Sequence, residues 1–289
     1  MRGAIPLPWG GMDQYERQRM ENLKFTRFRI AGSIGIIWLD RPPLNLLRED
    51  MKDELLAILE NMAADDRVGI VIVTGSGEKA FCAGRDLAES HSWQTSSNPP
   101  LEEVWDRGNR LIDNILYHPK ITIAALNGAT LGGGCELTLP FDLVIAEKGG
   151  RIGIPEASRG VFPGTGAMQL LPKKIGIFRA KEMVFWGKVI TAEEALSWGL
   201  VNVVTEGKAL DAAYDYAGRL DKISLRAIGR AKEIMNRHER WADASTLHFE
   251  KREFSRIFLQ PDAREGINAF FEKRPPFFNK TQKEEGEER

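Results

Sequence analysis

Short apolar runs at strand length, separated by segments with helical spacing, constrain the fold of this chain most strongly. Four such runs are bounded by turn residues: GIIWLD (Gly35–Asp40), GIVIVTG (Gly69–Gly75), ITIAAL (Ile121–Leu126) and FDLVIA (Phe141–Ala146). By contrast, Glu49 to Ala64 carries its apolar residues at helical spacing, and residues 98–118 contain a second helical pattern after Pro99-Pro100. Strands and helices therefore alternate from Leu23 to about Glu206, which predicts an α/β core.

The pattern after Glu206 is helical only. We predict helices within Ala209–Arg237, Ala244–Phe258 and Ala263–Glu272, the last preceded by Pro261 and Asp262 as a helix start. The predicted organisation is a flexible arm at residues 1–22, a core at 23–206, a helical module at 207–280 and a charged tail at 281–289. Helical modules of this kind often carry subunit contacts.

Composition excludes several functional classes. The chain has 289 residues, 43% hydrophobic residues and a formal net charge of −1, which suits a folded domain and not a disordered one. Balanced charge argues against a nucleic-acid binder that works by bulk electrostatics, and no apolar run is long enough to span a membrane. Cys82 and Cys135 form neither a disulfide framework nor a metal-ligand spacing, so we expect no metal and a reducing cytoplasm.

Glu136 lies in LGGGCELTLP, where a strand leads through glycines into a helix. Such a turn directs unpaired backbone N–H groups at one point, and glycine lets a ligand approach the backbone closely. The ligand would be a phosphate or a thioester carbonyl that becomes an oxyanion. Phosphate is disfavoured because the segment lacks both the P-loop ending and the G-x-G-x-x-G pattern. The alternative is that the glycines serve helix packing and that Glu136 caps locally.

Two further segments carry related signals. KAFCAGRDL (Lys79–Leu87) offers either a second N–H to the same anion or a plain strand-to-helix turn capped by Asp86. In IGIPEASRGVFPGTG (Ile152–Gly166), Glu156 lies between apolar residues and is predicted to be buried. The alternative is an ion pair between Glu156 and Arg151 or Arg159. Together, two interior carboxylates and two such turns suit the addition of water to a double bond conjugated with a thioester. That reaction needs a base, an acid and donors for the developing oxyanion.

These segments, in this order, resemble the enoyl-CoA hydratase/isomerase (crotonase) family from about Leu23 to Phe278. Matching pieces also include LPKKIG (Leu171–Gly176), GKVITAEEALSWGLVNVV (Gly187–Val204) and EGINAFFEKRPPFF (Glu265–Phe278). The resemblance implies a crotonase-like spiral of ββα turns, with C-terminal helices that form a homotrimer or a dimer of trimers.

The resemblance also implies roles for individual residues. The oxyanion hole falls on the backbone N–H groups of Arg85 and Gly133, and the two catalytic carboxylates fall on Glu136 and Glu156. Retention of both glutamates points to hydration, with coenzyme A as part of the substrate and with no cofactor. The implied CoA and substrate contacts are Pro43, Leu44, Ala83, Gly84, Asp86, Leu87, Gly164, Phe254 and Lys273. Phe254 and Lys273 match positions that reach the nucleotide end of CoA, often from a neighbouring subunit. The alternative for Lys273 is a solvated lysine on a charged helix.

The chain departs from the family at a few positions. Arg85 stands where relatives usually have a small or apolar residue, and we hypothesise that it contacts a CoA phosphate or an oxygenated acyl group. Phe141 and the segment Ala167–Leu171 also differ, in a way that indicates repacking of the core. Trp93 and Trp105 lie in the variable segment over the acyl pocket, where they either wall a ring-like acyl group or, as we prefer, fill core space.

The sequence is also compatible with two alternative functions. An isomerase, hydrolase or lyase of a cyclic or aromatic acyl-CoA would use the same scaffold. A relative that binds CoA esters or RNA without catalysis is the second alternative. The paired glutamates count against lost catalysis, and the near-zero net charge counts against RNA.

Overall fold

The computed structural model describes residues 23–94, 96, 100–220, 225–236, 251–252, 254–256 and 258–276. The predicted arm, the charged tail and most of the predicted helix Ala244–Phe258 lie outside these residues. The strands are β1 (Thr26–Ala31), β2 (Ile34–Leu39), β3 (Ile70–Gly75), β4 (Ala80–Cys82), β5 (Ile121–Leu126), β6 (Ala129–Leu131), β7 (Leu143–Glu147), β8 (Arg151–Gly153), β9 (Val189–Thr191) and β10 (Val203–Thr205).

Helices connect and flank these strands. They are α1 (Glu49–Ala64), α2 (Leu87–Gln94), α3 (Leu101–Leu116), α4 (Gly133–Thr138), α5 (Ala167–Ile175), α6 (Ile177–Phe185), α7 (Ala192–Trp198), α8 (Ala209–Leu220), α9 (Leu225–Asn236) and α10 (Pro261–Phe271), with a 3-10 helix at Glu156–Arg159. Across the described ranges, no helix is both long and apolar enough to cross a bilayer.

A six-stranded sheet in the order β1-β2-β3-β5-β7-β10 forms the centre of the molecule. All of its pairings are parallel except the antiparallel pair β1–β2. Alternate residues of β3 enter two different apolar clusters: Val71 and Val73 pack with α1, whereas Ile70 and Ile72 pack with α8. Burial on both faces explains why the strand reads as an unbroken apolar run. The α/β prediction is confirmed.

A second sheet of three-residue strands, in the order β4-β6-β8-β9, lies beside the first. Asn127 and Gly128 turn the chain from β5 into β6. The Asn127 side chain accepts from the N–H of Gly75 at 3.1 Å and donates to the carbonyls of Gly75 and Gly77 at 2.9 and 2.8 Å. This side chain therefore joins the ends of β3 and β5, which lead into β4 and β6 and from there into two turns of the candidate site.

The C-terminal helices pack onto the core. Lys232 of α9 reaches Asp142, at the start of β7, with an Nζ–Oδ2 distance of 2.7 Å, and Asp142 Oδ2 also accepts from the N–H of Thr122 at 2.8 Å. The ion pair is largely enclosed, with the Lys232 side chain 7% exposed. The predicted boundary between a core and a helical module stays a prediction.

Candidate active site

Glu136 is buried in the short helix α4, immediately after the glycine turn that follows β6. Its Oε1 atom accepts hydrogen bonds from the N–H groups of Thr165, at 2.7 Å, and Ala167, at 3.4 Å. These donors are distant in sequence, so the carboxylate does not cap its own helix. Burial raises the pKa of Glu136, while the two N–H groups and the charges of Arg85 and Lys52 oppose that rise.

Glu156 begins the 3-10 helix that follows β8. Its Oε2 atom is buried, and the described part of the chain offers it no hydrogen-bond partner. Burial, and then the charge of Glu136, raise the pKa of Glu156 to about 8. Arg159 Nη1 contacts the carbonyl of Pro155 at 3.3 Å instead, and the ion pairs between described residues include none for Glu156. The ion-pair alternative is therefore not observed.

The backbone N–H groups of Arg85 and Gly133 lie near each other. Leu47 forms hydrogen bonds with the residues on either side of Arg85. Its N–H donates to the carbonyl of Gly84, and its carbonyl accepts from the N–H of Asp86, both at 2.8 Å. Among the described residues the Arg85 N–H has no acceptor, and Gly133 begins a helix, where N–H groups lack intrahelical acceptors. A Cβ built on Gly133 would lie 3.8 Å from Arg85 N. Two donors of the kind expected for an oxyanion hole thus come from separate turns.

A cavity of about 550 Å³ brings these groups together. Glu136, Glu156, Arg85 and Gly133 all line it, and the volume suits a small-molecule site. The lining also has an apolar and aromatic part, which includes Leu111, Ile112, Phe162, Phe254, Phe258 and Phe270. The arrangement can polarise a carbonyl between two N–H groups while two carboxyl groups exchange protons with a ligand beside it.

Most of the other predicted contact residues also line this cavity, namely Leu44, Ala83, Gly84, Asp86, Leu87, Gly164 and Phe254. Pro43 and Lys273 are not among the described residues that line it, and Lys273 is exposed. Phe254 packs in the cavity of its own chain, since a Cβ on Gly164 would lie 2.4 Å from its ring. Asp86 also caps the strand-to-helix turn, as the alternative from sequence predicts, because its Oδ1 accepts from the N–H of Ala88 at 3.0 Å.

The Arg85 side chain has a partner that the sequence did not predict. Its Nη1 lies 2.9 Å from Glu49 Oε1, and its guanidinium lies over the ring of Trp93 at 5.1 Å. The same Glu49 oxygen accepts from Lys52 Nζ at 2.8 Å, and Lys52 lines the cavity. A signal was present, because Lys52 precedes Leu55 and Leu56 by three and four residues and so belongs to the buried face of α1.

Trp93 and Trp105 are buried, at 9% and 5% exposure. Trp93 packs with Leu101, Val104 and Ile267, and neither tryptophan is among the described residues lining the cavity. The preference for a core role is confirmed. Phe141 is likewise buried in the main apolar cluster.

Comparisons with known proteins agree on one family. Residues 29–282 match the family model described as enoyl-CoA hydratase/isomerase. A short-chain-enoyl-CoA hydratase from Clostridium acetobutylicum is 34% identical over 245 residues, which is 84% of this chain and 93% of that protein. A crotonyl-CoA hydratase from Syntrophomonas wolfei is 34% identical over 85% of this chain and 94% of its own length.

Solved structures agree as well. An enoyl-CoA hydratase from Bacillus anthracis superposes with a TM-score of 0.70 at 32% identity, covering 88% of this chain and 99% of that one. The match of the family model extends over nearly all of the described residues, from β1 to α10. The chain belongs to the enoyl-CoA hydratase/isomerase family.

Proposed function

We propose that the chain is an enoyl-CoA hydratase, which adds water across the 2,3 double bond of an enoyl-CoA thioester. The observation that carries this proposal is that one cavity is lined by two carboxyl groups and by two residues whose backbone N–H groups have no acceptor in the described part of the chain. The names of the relatives, short-chain-enoyl-CoA hydratase and crotonyl-CoA hydratase, support it. Coenzyme A is then part of the substrate, and the reaction needs neither a metal nor a redox cofactor.

The thioester oxygen would sit between the N–H groups of Arg85 and Gly133. Negative charge collects on this oxygen when water attacks the β-carbon and an enolate forms. Donors already fixed in place stabilise that charge, and loss of one such donor typically costs about 100- to 1,000-fold in rate.

The surroundings of the two glutamates support different roles. Glu136 accepts two backbone hydrogen bonds and feels the positive charges of Arg85 and Lys52, which favour its carboxylate form. Glu156 has a buried oxygen without a partner in the described residues, which favours its protonated form. Glu136 would therefore take a proton from water as the water oxygen bonds to the β-carbon. Glu156 would donate its proton to the α-carbon, which completes the addition.

Coenzyme A would run along the part of the cavity formed by the loops before α1 and α2. We propose contacts to Leu44, Ala83, Gly84, Asp86, Leu87 and Gly164, and to Phe254 within the same chain, because these residues line the cavity. Pro43 adjoins this wall through Leu44. Lys273 is exposed, which suits a contact to the nucleotide end from outside the cavity.

We further propose that the chain assembles as a homotrimer or a dimer of trimers. Phe178, Phe185 and Trp186, on and just after α6, are 84%, 63% and 77% exposed in the single chain. Large exposed aromatic patches of this kind commonly mark protein–protein contacts. Light scattering on the purified protein tests this proposal, and a monomer at micromolar concentration would contradict it.

The direct test of function is the hydration of crotonyl-CoA, followed by the loss of enoyl ultraviolet absorbance and by identification of the product. We expect 3-hydroxybutyryl-CoA. A shifted double bond or released coenzyme A would instead indicate an isomerase or a hydrolase. Turnover confined to cyclic or aromatic acyl-CoAs would favour the lyase alternative, and a bound but unchanged ester would favour a non-catalytic relative.

A further inference from the structure

A cluster of five charged side chains has two members in the cavity lining, and the proposed hydration chemistry uses only the charges of those two. We call Glu49, Lys52, Asp53, Arg85 and Arg107 the Glu49 cluster. Glu49 Oε1 contacts Lys52 Nζ at 2.8 Å and Arg85 Nη1 at 2.9 Å, and Glu49 Oε2 contacts Arg107 Nη1 at 3.1 Å. Arg107 Nε also pairs with Asp53 Oδ1 at 2.8 Å.

The charges of the Glu49 cluster do not balance. Three cations share two carboxylates, so the cluster holds one formal positive charge in excess. Lys52 and Arg85 line the cavity, whereas Glu49, Asp53 and Arg107 are not among the described residues that line it. Two of the three cations therefore lie where a ligand would meet them.

Lys52 lines the cavity and has more N–H donors than it has acceptors among the described residues. Its ammonium has three N–H groups, and its side chain is 5% exposed. The hydrogen bonds between described residues give it one acceptor, Glu49 Oε1. A buried ammonium with unused donors is costly, and a ligand oxygen would remove that cost.

The electrostatic surroundings point the same way. Burial and the charge of Arg85 lower the pKa of Lys52 to about 8, although Glu49 and Glu136 act in the opposite direction. An anion placed beside Lys52 and Arg85 would offset their mutual repulsion. A purely aliphatic acyl group would instead leave both cations facing an apolar ligand.

We propose that the cavity selects an enoyl-CoA whose acyl group ends in a free carboxylate, which Lys52 binds together with Arg85. This inference rests on the proposed function, because it assigns the substrate class of the same site. Lys52 and Arg85 are then specificity-determining residues, and Glu49 fixes the position of both.

Binding of saturated thioesters tests the proposal separately from catalysis. Glutaryl-CoA and pentanoyl-CoA both carry five acyl carbons and differ in the terminal carboxylate, and neither has a double bond to hydrate. Isothermal titration should give a Kd for glutaryl-CoA about tenfold or more below that for pentanoyl-CoA, as expected for a charge-assisted hydrogen bond. Equal affinities, or tighter binding of pentanoyl-CoA, would overturn the proposal. A protein that fails to hydrate crotonyl-CoA can still show this preference, so the two proposals fail separately.

Variants assign the preference to Lys52. Lys52→Met keeps an unbranched stem and removes the charge, so it should abolish the preference for glutaryl-CoA while pentanoyl-CoA binding changes less than about threefold. Arg107→Gln is the matched control, because it also removes a cation from Glu49 but not from the cavity wall, and it should keep the preference. A Lys52→Met protein that retains the preference would overturn the assignment. If that variant does not fold, the wild-type comparison still decides the substrate class, and Arg85→Met is the second variant.

Discussion

The carboxyl group of Glu156 lies against Gly132, with Oε1 only 2.6 Å from the position that a Cβ on Gly132 would take. Gly132 has φ 52° and ψ −127°, a backbone conformation that residues with a side chain rarely adopt. The turn that brings the Gly133 N–H to the cavity is thus also the surface against which Glu156 rests. The positions of the Gly133 N–H and of Glu156 therefore both depend on the absence of a side chain at Gly132.

Gly132→Ala should disable the site more than it harms the fold. We expect the methyl group to displace Glu156 and lower kcat by about 100-fold or more, with a stability loss of about 1–3 kcal/mol from backbone strain. Steady-state kinetics with crotonyl-CoA and urea unfolding measure the two effects. Gly149→Ala is the control, since its added Cβ would meet no described atom within 4 Å apart from its chain neighbours, and it should match the wild type. Near-normal turnover by Gly132→Ala would contradict this description of the site.

Stability should depend on pH through Glu156. Burial raises the pKa of this carboxyl in the folded protein to about 8, above its usual value in an unfolded chain. The folded state therefore binds the proton more tightly, and the stability contribution is complete below the unfolded pKa and declines as pH rises through the folded pKa. We expect the free energy of unfolding to fall between about pH 5 and pH 8. Glu156→Gln should flatten this decline, whereas parallel curves for variant and wild type would refute the assignment.

The ion pair between Lys232 and Asp142 should hold the C-terminal helices on the core. Lys232→Met leaves Asp142 with the two donors of Thr122 but without its counter-charge. Loss of one partner of a largely buried pair typically costs about 3–5 kcal/mol, so we expect a marked fall in the urea midpoint. Lys148→Met, which removes the exposed pair with Glu206, should change the midpoint very little. Equal effects of the two substitutions would contradict the role given to Lys232.

Both cysteines should be unreactive in the native protein. Cys82 and Cys135 are fully buried and free, and burial raises the pKa of both thiols, that of Cys82 to about 12. An aromatic disulfide reagent should therefore modify neither thiol in buffer and both in denaturant. Rapid modification of one thiol per folded chain would show that this part of the core opens.

Local periodicity predicted the larger elements well. The helix predicted at Glu49–Ala64 has those bounds in the structure, because its apolar stripe is buried along its whole length. The run Ile121–Leu126 is likewise the strand β5, buried at every residue. In both cases one local pattern decides the structure.

The second sheet was not predicted from sequence. Its strands are three residues long, too short for an alternating pattern, and their pairing joins segments that are distant in the chain. The same reason hid the donors to Glu136, since the N–H groups of Thr165 and Ala167 come from the loop before α5 and from its first residue, 29 and 31 residues away. The Glu49 cluster was missed because the stripe of α1 was defined from its apolar members, and Lys52 lies on that stripe.

The proposed hydration depends on both Glu136 and Glu156, which act on water and on the α-carbon beside the thioester. The most direct measurement is the kcat for crotonyl-CoA hydration by Glu136→Gln and Glu156→Gln, with butyryl-CoA binding measured alongside. Each variant should lose about 100- to 10,000-fold in kcat while its Kd for butyryl-CoA changes little. Glu60→Gln, at an exposed position of α1, should behave as the wild type. Hydration at a near-normal rate by either of the two site variants would contradict the catalytic roles proposed for these glutamates.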